Sequence, residues 1–402
     1  MLNAKNEREL CYVVRVDDVK PIPGRDRVEC AVVGGWTIMV RKGDFRPGDL
    51  GIYFEIDSQV PAKKPFEFLE SKHYKIKTQK YKTPEGQFWS QGLLMTAYDF
   101  DFDVNYDGNY PIGIDGHYVD DESRFLTKEL GVIYATPEDN TRKANSVNKY
   151  KRMAARNGKL FSHQPFRWLM KRNWGRKLLF IFFGKSNDKA SDWPSWVVKT
   201  DEERIQNMPY ILEDKSEWIA TEKIDGTSTT FTMKREGKKK QFYVCSRNVV
   251  FNKPDKECFY ESNVWLEMAA KYKIEEKLTA FLDAHPDIEW VTLQGETYGK
   301  GIQNRDYSRP DHCFMGFNFI TSKDGRWNSR EAANLLEPIG IPWVPIVDEH
   351  FVLPDTVEEL LEIATGKSVI DGGMREGLVF RSQDGTKSFK AVSNEFLLKY
   401  HQ

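Results

Sequence analysis

The stretch ATEKIDGTSTTF, Ala220 to Phe231, sets one lysine, Lys223, among apolar and small residues and follows it with Asp225 and Gly226. A lysine amine is a nucleophile only after losing its proton. With an unperturbed pKa of about 10.4, it needs neighbouring cations or burial to do so near neutrality. K-x-D-G alone carries little, because a surface lysine beside a turn fits it as well. The weight comes from the strand-like runs downstream. CSRN brings Arg247, LQGETYGKGIQNRDY brings Glu296, FMGFNF brings Phe317, REGLVFR brings Glu376, and SFKAVSNEFLLK brings Lys390. Carboxylates are hard oxygen donors suited to Mg²⁺ or Mn²⁺, and a second lysine near the first depresses its pKa. Taken singly, each acid reads as a solvent-facing strand residue, and FMGFNF reads equally well as a buried strand.

In this order the motifs resemble those of the covalent nucleotidyltransferases, the superfamily of polynucleotide ligases and RNA capping enzymes. Glu222 directly before Lys223, GKGIQN after the Glu296 motif and the F-x-x-F-N spacing are similar to RNA ligases that seal nicked duplexes. VVKTDEERIQN (197–207), together with PIPGRDRVE, RPGDLGIYFEIDSQVP and SQGLL nearer the N-terminus, is similar to the Deinococcus-type ATP-dependent RNA ligases, which carry an OB module before the ligase domain. The resemblance spans nearly the whole chain and is weakest between about 100 and 191.

The resemblance implies a reaction and a set of roles. Lys223 attacks the α-phosphate of ATP to give a lysyl-adenylate and pyrophosphate. AMP then passes to a 5′-phosphate end, and a 3′-hydroxyl displaces it. Lys223, Asp225, Glu296, Glu376 and Lys390 form the implied catalytic set, with Asp225, Glu296 and Glu376 holding Mg²⁺ or Mn²⁺. Lys199, Glu222, Arg247, Glu296, Phe317 and Lys390 are the implied nucleotide contacts: Phe317 stacks on adenine, Glu222 accepts from its amine, Arg247 holds ribose or phosphate, Glu296 touches ribose, and Lys390 meets the α-phosphate. The related pattern often has two lysines at alternating positions; here the earlier position is Ser388, with Lys387 one residue off. A DNA ligase, an RNA capping guanylyltransferase and a non-catalytic OB-type binder stay open, although the intact motif residues argue against the last.

Residues from about Cys11 to Met95 alternate as strands do, with PIPGRD and FRPGDL as turns. An OB-like β-barrel of five strands fits, and a β-sandwich of similar size is the alternative. From Thr141 to Ala190 basic residues crowd together with Phe161, Phe166, Trp168 and Trp174, a composition suited either to tracking a phosphate backbone or to a solvated linker. Beyond Trp193, SNVWLEMAAKYKIEEKLTAFLDAHPD predicts one or two amphipathic helices, and TVEELLEIATG a helix opened by a Thr356/Glu359 capping box. The expected fold is α+β: an OB-like domain over 1–120, a basic linker over 121–195, and over 196–402 a mixed antiparallel-sheet nucleotidyltransferase domain, ATP-grasp-like by resemblance. The barrel is expected to hold the nick and leave the adenylation site to the later domain.

A net charge of −1 over 402 residues excludes a general polycation. Five scattered cysteines form no close metal or redox pair and suit reduced thiols in a cytoplasmic protein. LLFIFF (178–183) falls far short of the roughly 20 residues that span a bilayer. The expected partner is a nicked duplex with an RNA 3′-hydroxyl strand, bound by a monomer with no membrane association.

Overall fold

The computed structural model describes residues 1–3, 8–96, 99–100, 125–134, 163–183, 194–237, 239–247, 250–251 and 263–401. The first part is built of strands: β1 (Cys11–Arg15), β2 (Asp18–Ile22), β3 (Arg25–Val33), β4 (Trp36–Arg41), β5 (Leu50–Phe54), β6 (Ser58–Gln59), β7 (Lys75–Ile76), β8 (Gln79–Thr83), β9 (Gly86–Ser90), β10 (Leu93–Met95) and β11 (Ile133–Tyr134). β5 lies between β1 and β10, β2, β3 and β4 form a meander, and β8 pairs with β9. The alternation in WTIMVR is realised in β4, where Trp36, Ile38 and Val40 are buried and Arg41 is exposed. Trp36 and Ile38 pack with Tyr53 and Val14, and the same apolar cluster takes in Val392 and Leu397 from the far end of the chain. A second cluster around Phe54 and Phe66 includes Leu130 and Val132, so residues just before β11 pack with this first unit.

The tip of the β3–β4 hairpin fixes the barrel to the later domain. The Gly35 N–H donates to the Gln206 carbonyl at 2.8 Å. A Cβ at Gly35 would sit 2.7 Å from the Gln206 Cα, so only glycine allows that approach. Of the basic stretch expected over 141–190, residues 141–162 and 184–190 lie outside the described residues; between them are α1 (Gln164–Met170) and α2 (Asn173–Phe183).

The later part holds two antiparallel sheets. One contains β12 (Glu217–Lys223), β19 (Ile346–Val352), β20 (Gly377–Ser382) and β21 (Ser388–Val392), in the order β19-β12-β20-β21. The other contains β13 (Thr227–Glu236), β14 (Lys239–Cys245), β15 (Val250–Phe251), β16 (Trp290–Tyr298), β17 (Cys313–Thr321) and β18 (Gly325–Arg326), in the order β15-β14-β13-β16-β17-β18. Helices α3 (Val264–Lys271), α4 (Ile274–Ala284) and α5 (Ser329–Leu336) bury Met268, Leu278 and Leu336 against Phe231, Leu293 and Phe319 of the six-stranded sheet. The long amphipathic run is therefore two helices, parted at Lys273, whose φ of 49° is left-handed. Helix α6 (Val357–Ala364) opens with the expected Thr356/Glu359 capping box and packs under the four-stranded sheet with Trp218, Phe380 and Phe389. Helix α7 (Asn394–Tyr400) starts at a Ser393 cap. The fold is α+β and mostly antiparallel.

Candidate active site

Lys223 is the last residue of β12, and β13 begins four residues later in the other sheet. The chain crosses between sheets through Ile224, Asp225 and Gly226, so the lysine stands at their junction. Gly226 is required by proximity: a Cβ there would lie 2.4 Å from the Thr297 carbonyl oxygen of β16. Lys223 pairs with Gly377 on β20, which brings Glu376 beside it, and Ser228 pairs with Glu296 on β16. The Lys223 ammonium meets both Glu376 oxygens, at 2.8 and 2.9 Å. Burial pulls its pKa down, but the charges of Glu376, Glu296 and Asp225 outweigh that and hold it above the ordinary lysine value. These acids favour the ammonium form of the lysine.

Of the acids, Glu296 is itself strained electrostatically. Burial, reinforced by Glu376 and Asp225 against the pull of Lys223, pushes the Glu296 carboxyl up to about 8. The Asp225 backbone N–H donates to the Tyr307 hydroxyl at 2.7 Å. Its side-chain Oδ1 lies 3.6 Å from His401 Nε2, and its buried Oδ2 has no hydrogen-bond partner. Among the described residues no three His, Cys, Asp or Glu side chains stand close enough together to share one ion; what the three acids share is the ammonium.

Two implied adenine contacts flank a cavity of about 440 Å³. Glu222 is 1 % exposed; its Oε2 accepts the Val369 N–H at 2.8 Å while Oε1 is buried without a partner, and burial raises its pKa. On β17 the register with β16 slips between Gln294/Asn318 and Gly295/Gly316, leaving Phe317 as the extra residue of a bulge. Bulges re-aim side chains, and Phe317 lines the cavity. Arg247 also lines it, paired with Asp201. Lys199 does not, although Thr200, Asp201 and Glu202 just after it do.

A basic wall faces the acids. Lys390 on β21 is 8 % exposed and is pushed down to about 7 by burial, with Arg8, Arg204 and Lys223 adding to that and Asp201 opposing it. Arg8, Asp57, Lys75, Lys77 and Tyr134, all from the first unit, line the same cavity. Against the expectation that the barrel leaves this site to the later domain, docking through Gln206, Val392 and Leu397 brings cations of the barrel to line the cavity that holds Lys223. Burial and neighbouring Lys75 lower the Lys77 pKa. Glu55, wholly buried, is held below the carboxylate range against its burial by the Met1 amine, Arg8 and Arg204, and thereby fixes Arg8, whose Nε donates to it at 2.8 Å. Lys387 points elsewhere and bonds Asp214 at 2.8 Å, while Ser388 sits between Glu202 and Arg326. Neither lines the cavity, whereas Arg381, within the quoted REGLVFR, does. Arg8, Lys75, Lys77 and His401 have no local sequence pattern that ties them to Lys223, whereas Arg204 and Arg381 lie within VVKTDEERIQN and REGLVFR without a role that those motifs imply.

Residues 216–401 match the RNA ligase family, and residues 10–95 match an OB-fold domain. No curated protein matches the sequence. Among solved structures, Naegleria gruberi RNA ligase with PPi is 25% identical, covers 98% of this chain and 99% of its own, and superposes with a TM-score of 0.69. A mutant of that ligase with ATP and Mn is 25% identical over 98% of this chain and 100% of its own, with a TM-score of 0.69. Another, with AMP and Mn, is 26% identical over 98% and 99%, also at 0.69. The chain thus joins a leading stretch that matches an OB-fold domain to a closing stretch around Lys223 that matches the RNA ligase family, and over nearly its whole length it is similar to RNA ligase structures.

Proposed function

We propose that the chain uses ATP and a divalent metal to adenylylate Lys223 and then seals 3′-hydroxyl/5′-phosphate nicks in a duplex whose 3′-hydroxyl strand is RNA. The observation that carries this reading is the division of the cavity: Lys223 lies on an acidic floor under a basic wall, with Phe317 and the unpartnered Glu222 oxygen at its side. Triphosphate suits the wall, and adenine suits the side with an aromatic face and a free acceptor for its amine.

Lys223 supplies the nitrogen that bonds to the α-phosphorus as the bond to pyrophosphate breaks. Lys390, Lys75, Lys77 and Arg8 offset the triphosphate charge, and the barrel's cations draw the leaving group away from the nucleophile. The floor suits a metal chemically: its donors are hard oxygens, and the Asp225 Oδ2 is buried without a partner. Because the acids are too dispersed to enclose an ion, Asp225, Glu296 and Glu376 would hold it largely through its own waters, as Mg²⁺ commonly is held. Such an ion supplies positive charge that competes with the ammonium for the acids and so eases loss of the Lys223 proton. AMP then moves to the 5′-phosphate of the nick, and the 3′-hydroxyl displaces it.

The domain division proposed is an OB domain extended through residue 134 by its packing of Leu130 and Val132, a connecting stretch to about 195, and an adenylyltransferase domain from 196. The protein acts in the cytoplasm as a monomer. Incubation with labelled ATP and Mg²⁺ or Mn²⁺ should label the chain covalently, and Lys223→Ala should remove the label. Label surviving in that variant, or transferred from GTP and not from ATP, would refute the reading.

A further inference from the structure

The helical hairpin α1–α2 belongs to neither the cavity nor the sheets. Its inner side holds Leu179, 4% exposed, and the rings of Phe166 and Phe183, which lie 6.1 Å apart. Yet the outer face of α2 is apolar as well. Trp174, Leu178 and Ile181, spaced four and three apart, fall on one side of the helix with Phe182 adjoining, and they are 55, 43, 75 and 73% exposed. A soluble surface rarely presents so continuous an apolar stripe without an occupant. Every Lys, Arg, Asp or Glu in 163–183 is basic: Arg167, Lys171, Arg172, Arg176 and Lys177. The occupant is therefore anionic as well as apolar.

We propose that this hairpin is an interfacial anchor that lays the α2 stripe into the headgroup region of an anionic lipid bilayer. Helices with Trp, Phe and Leu on one face among basic residues bind membrane surfaces in this way. Its eleven residues rise only about 16 Å, half of a hydrocarbon core of about 30 Å, so it lies in the surface and does not span it. This departs from the expectation of no membrane association. A duplex backbone would satisfy the cations, but it offers nothing to cover Leu178 and Ile181, and the Trp168 face that could stack on a base is taken by Arg172, 3.6 Å from its ring centre. A second copy would bring the same positive charge against this one.

The test uses the full chain with phosphatidylcholine vesicles, alone or containing about 30 mol% phosphatidylglycerol. The parent should sediment with the anionic vesicles and scarcely with the neutral ones. Ile181→Glu with Phe182→Glu should weaken that partition about tenfold or more while self-adenylation stays unchanged, because each removes buried apolar surface and adds a repelled charge. Should that variant lose self-adenylation through misfolding, Ile181→Ser with Phe182→Ser carries the same comparison. The proposal is overturned if the parent ignores anionic vesicles or if the folded variant binds them as the parent does. It is equally overturned if the variant loses affinity for a nicked duplex instead, or if the parent is a dimer that the variant dissolves.

Discussion

The floor and the wall of the cavity are built in opposite ways. The acids come from one domain, on or beside strands that pair with β12 and β13, the two strands flanking the Lys223 crossing, so their placement follows from local register: Lys223 opposite Gly377 sets Glu376, and Ser228 opposite Glu296 sets the second acid. The wall is assembled across the molecule, from Arg8, Lys75 and Lys77 of the barrel and Lys390 and Arg381 of the later sheet. The floor needs one domain to fold, whereas the wall needs two to dock. Chemistry at the lysine and grip on the triphosphate should therefore be separable by mutation.

The floor carries the largest expected loss. Glu376 is the acid in contact with Lys223, and removing it takes away charge stabilisation worth several kcal/mol in the transition state. Glu376→Ala should slow self-adenylation by about a thousandfold with the fold intact. A loss below tenfold at saturating Mg²⁺ would show that the floor does not operate as a unit.

Wall losses should be smaller and should fall on binding. Lys75→Ala with Lys77→Ala removes two partly exposed cations, and the apparent KM for ATP should rise about tenfold, the scale of a lost contact to a charged group, with less change in rate at saturation. Steady-state adduct formation measures this directly. An unchanged KM would return the barrel to the role of nick holder alone.

The same contrast decides what was legible in the sequence. The barrel, the capping box at Thr356 and the order of the motif strands followed from period, turn residues and spacing, all local quantities. Lys223, Asp225, Glu296 and Glu376 could be named because their motifs follow one another in the order of the family they resemble. Phe317 could be named but not aimed, since its bulge arises from pairing with β16 and not from FMGFNF itself. Lys75 and Lys77 had no such handle: on β7 and just beyond, they look like any solvated strand lysines until Gln206 receives Gly35 and brings them over the site. The outward stripe of α2 was hidden for a similar reason, because LLFIFF reads as core until the inward face is seen to be filled by Leu179 and Phe183.

Lys390 links the two regions, and its effect should depend on pH. A lysine pushed down to about 7 is cationic below that value and increasingly neutral above it, and phosphate favours the cationic form. ATP affinity measured calorimetrically without metal should thus be fullest below about pH 7 and weaken several-fold by about pH 8.5, bounded by tenfold per unit. Lys390→Arg, charged throughout, should flatten that slope. Parallel profiles for the two proteins would mean that Lys390 does not titrate against bound phosphate.

The smallest effect is expected at Lys387. It stands one residue from Ser388, the position where the pattern this chain resembles often has a second lysine, so the sequence leaves open which of the two replaces that lysine. Its ammonium bonds Asp214 at 2.8 Å, more than half of its side chain is exposed, and it does not line the cavity. Exposed pairs of this kind contribute little to stability, and reaching the triphosphate would require breaking that bond. Lys387→Ala should change self-adenylation by less than about twofold, within the range of an ordinary surface substitution. A tenfold loss there would mean that the later domain supplies its own second cation, and that the barrel's lysines are peripheral to the leaving group.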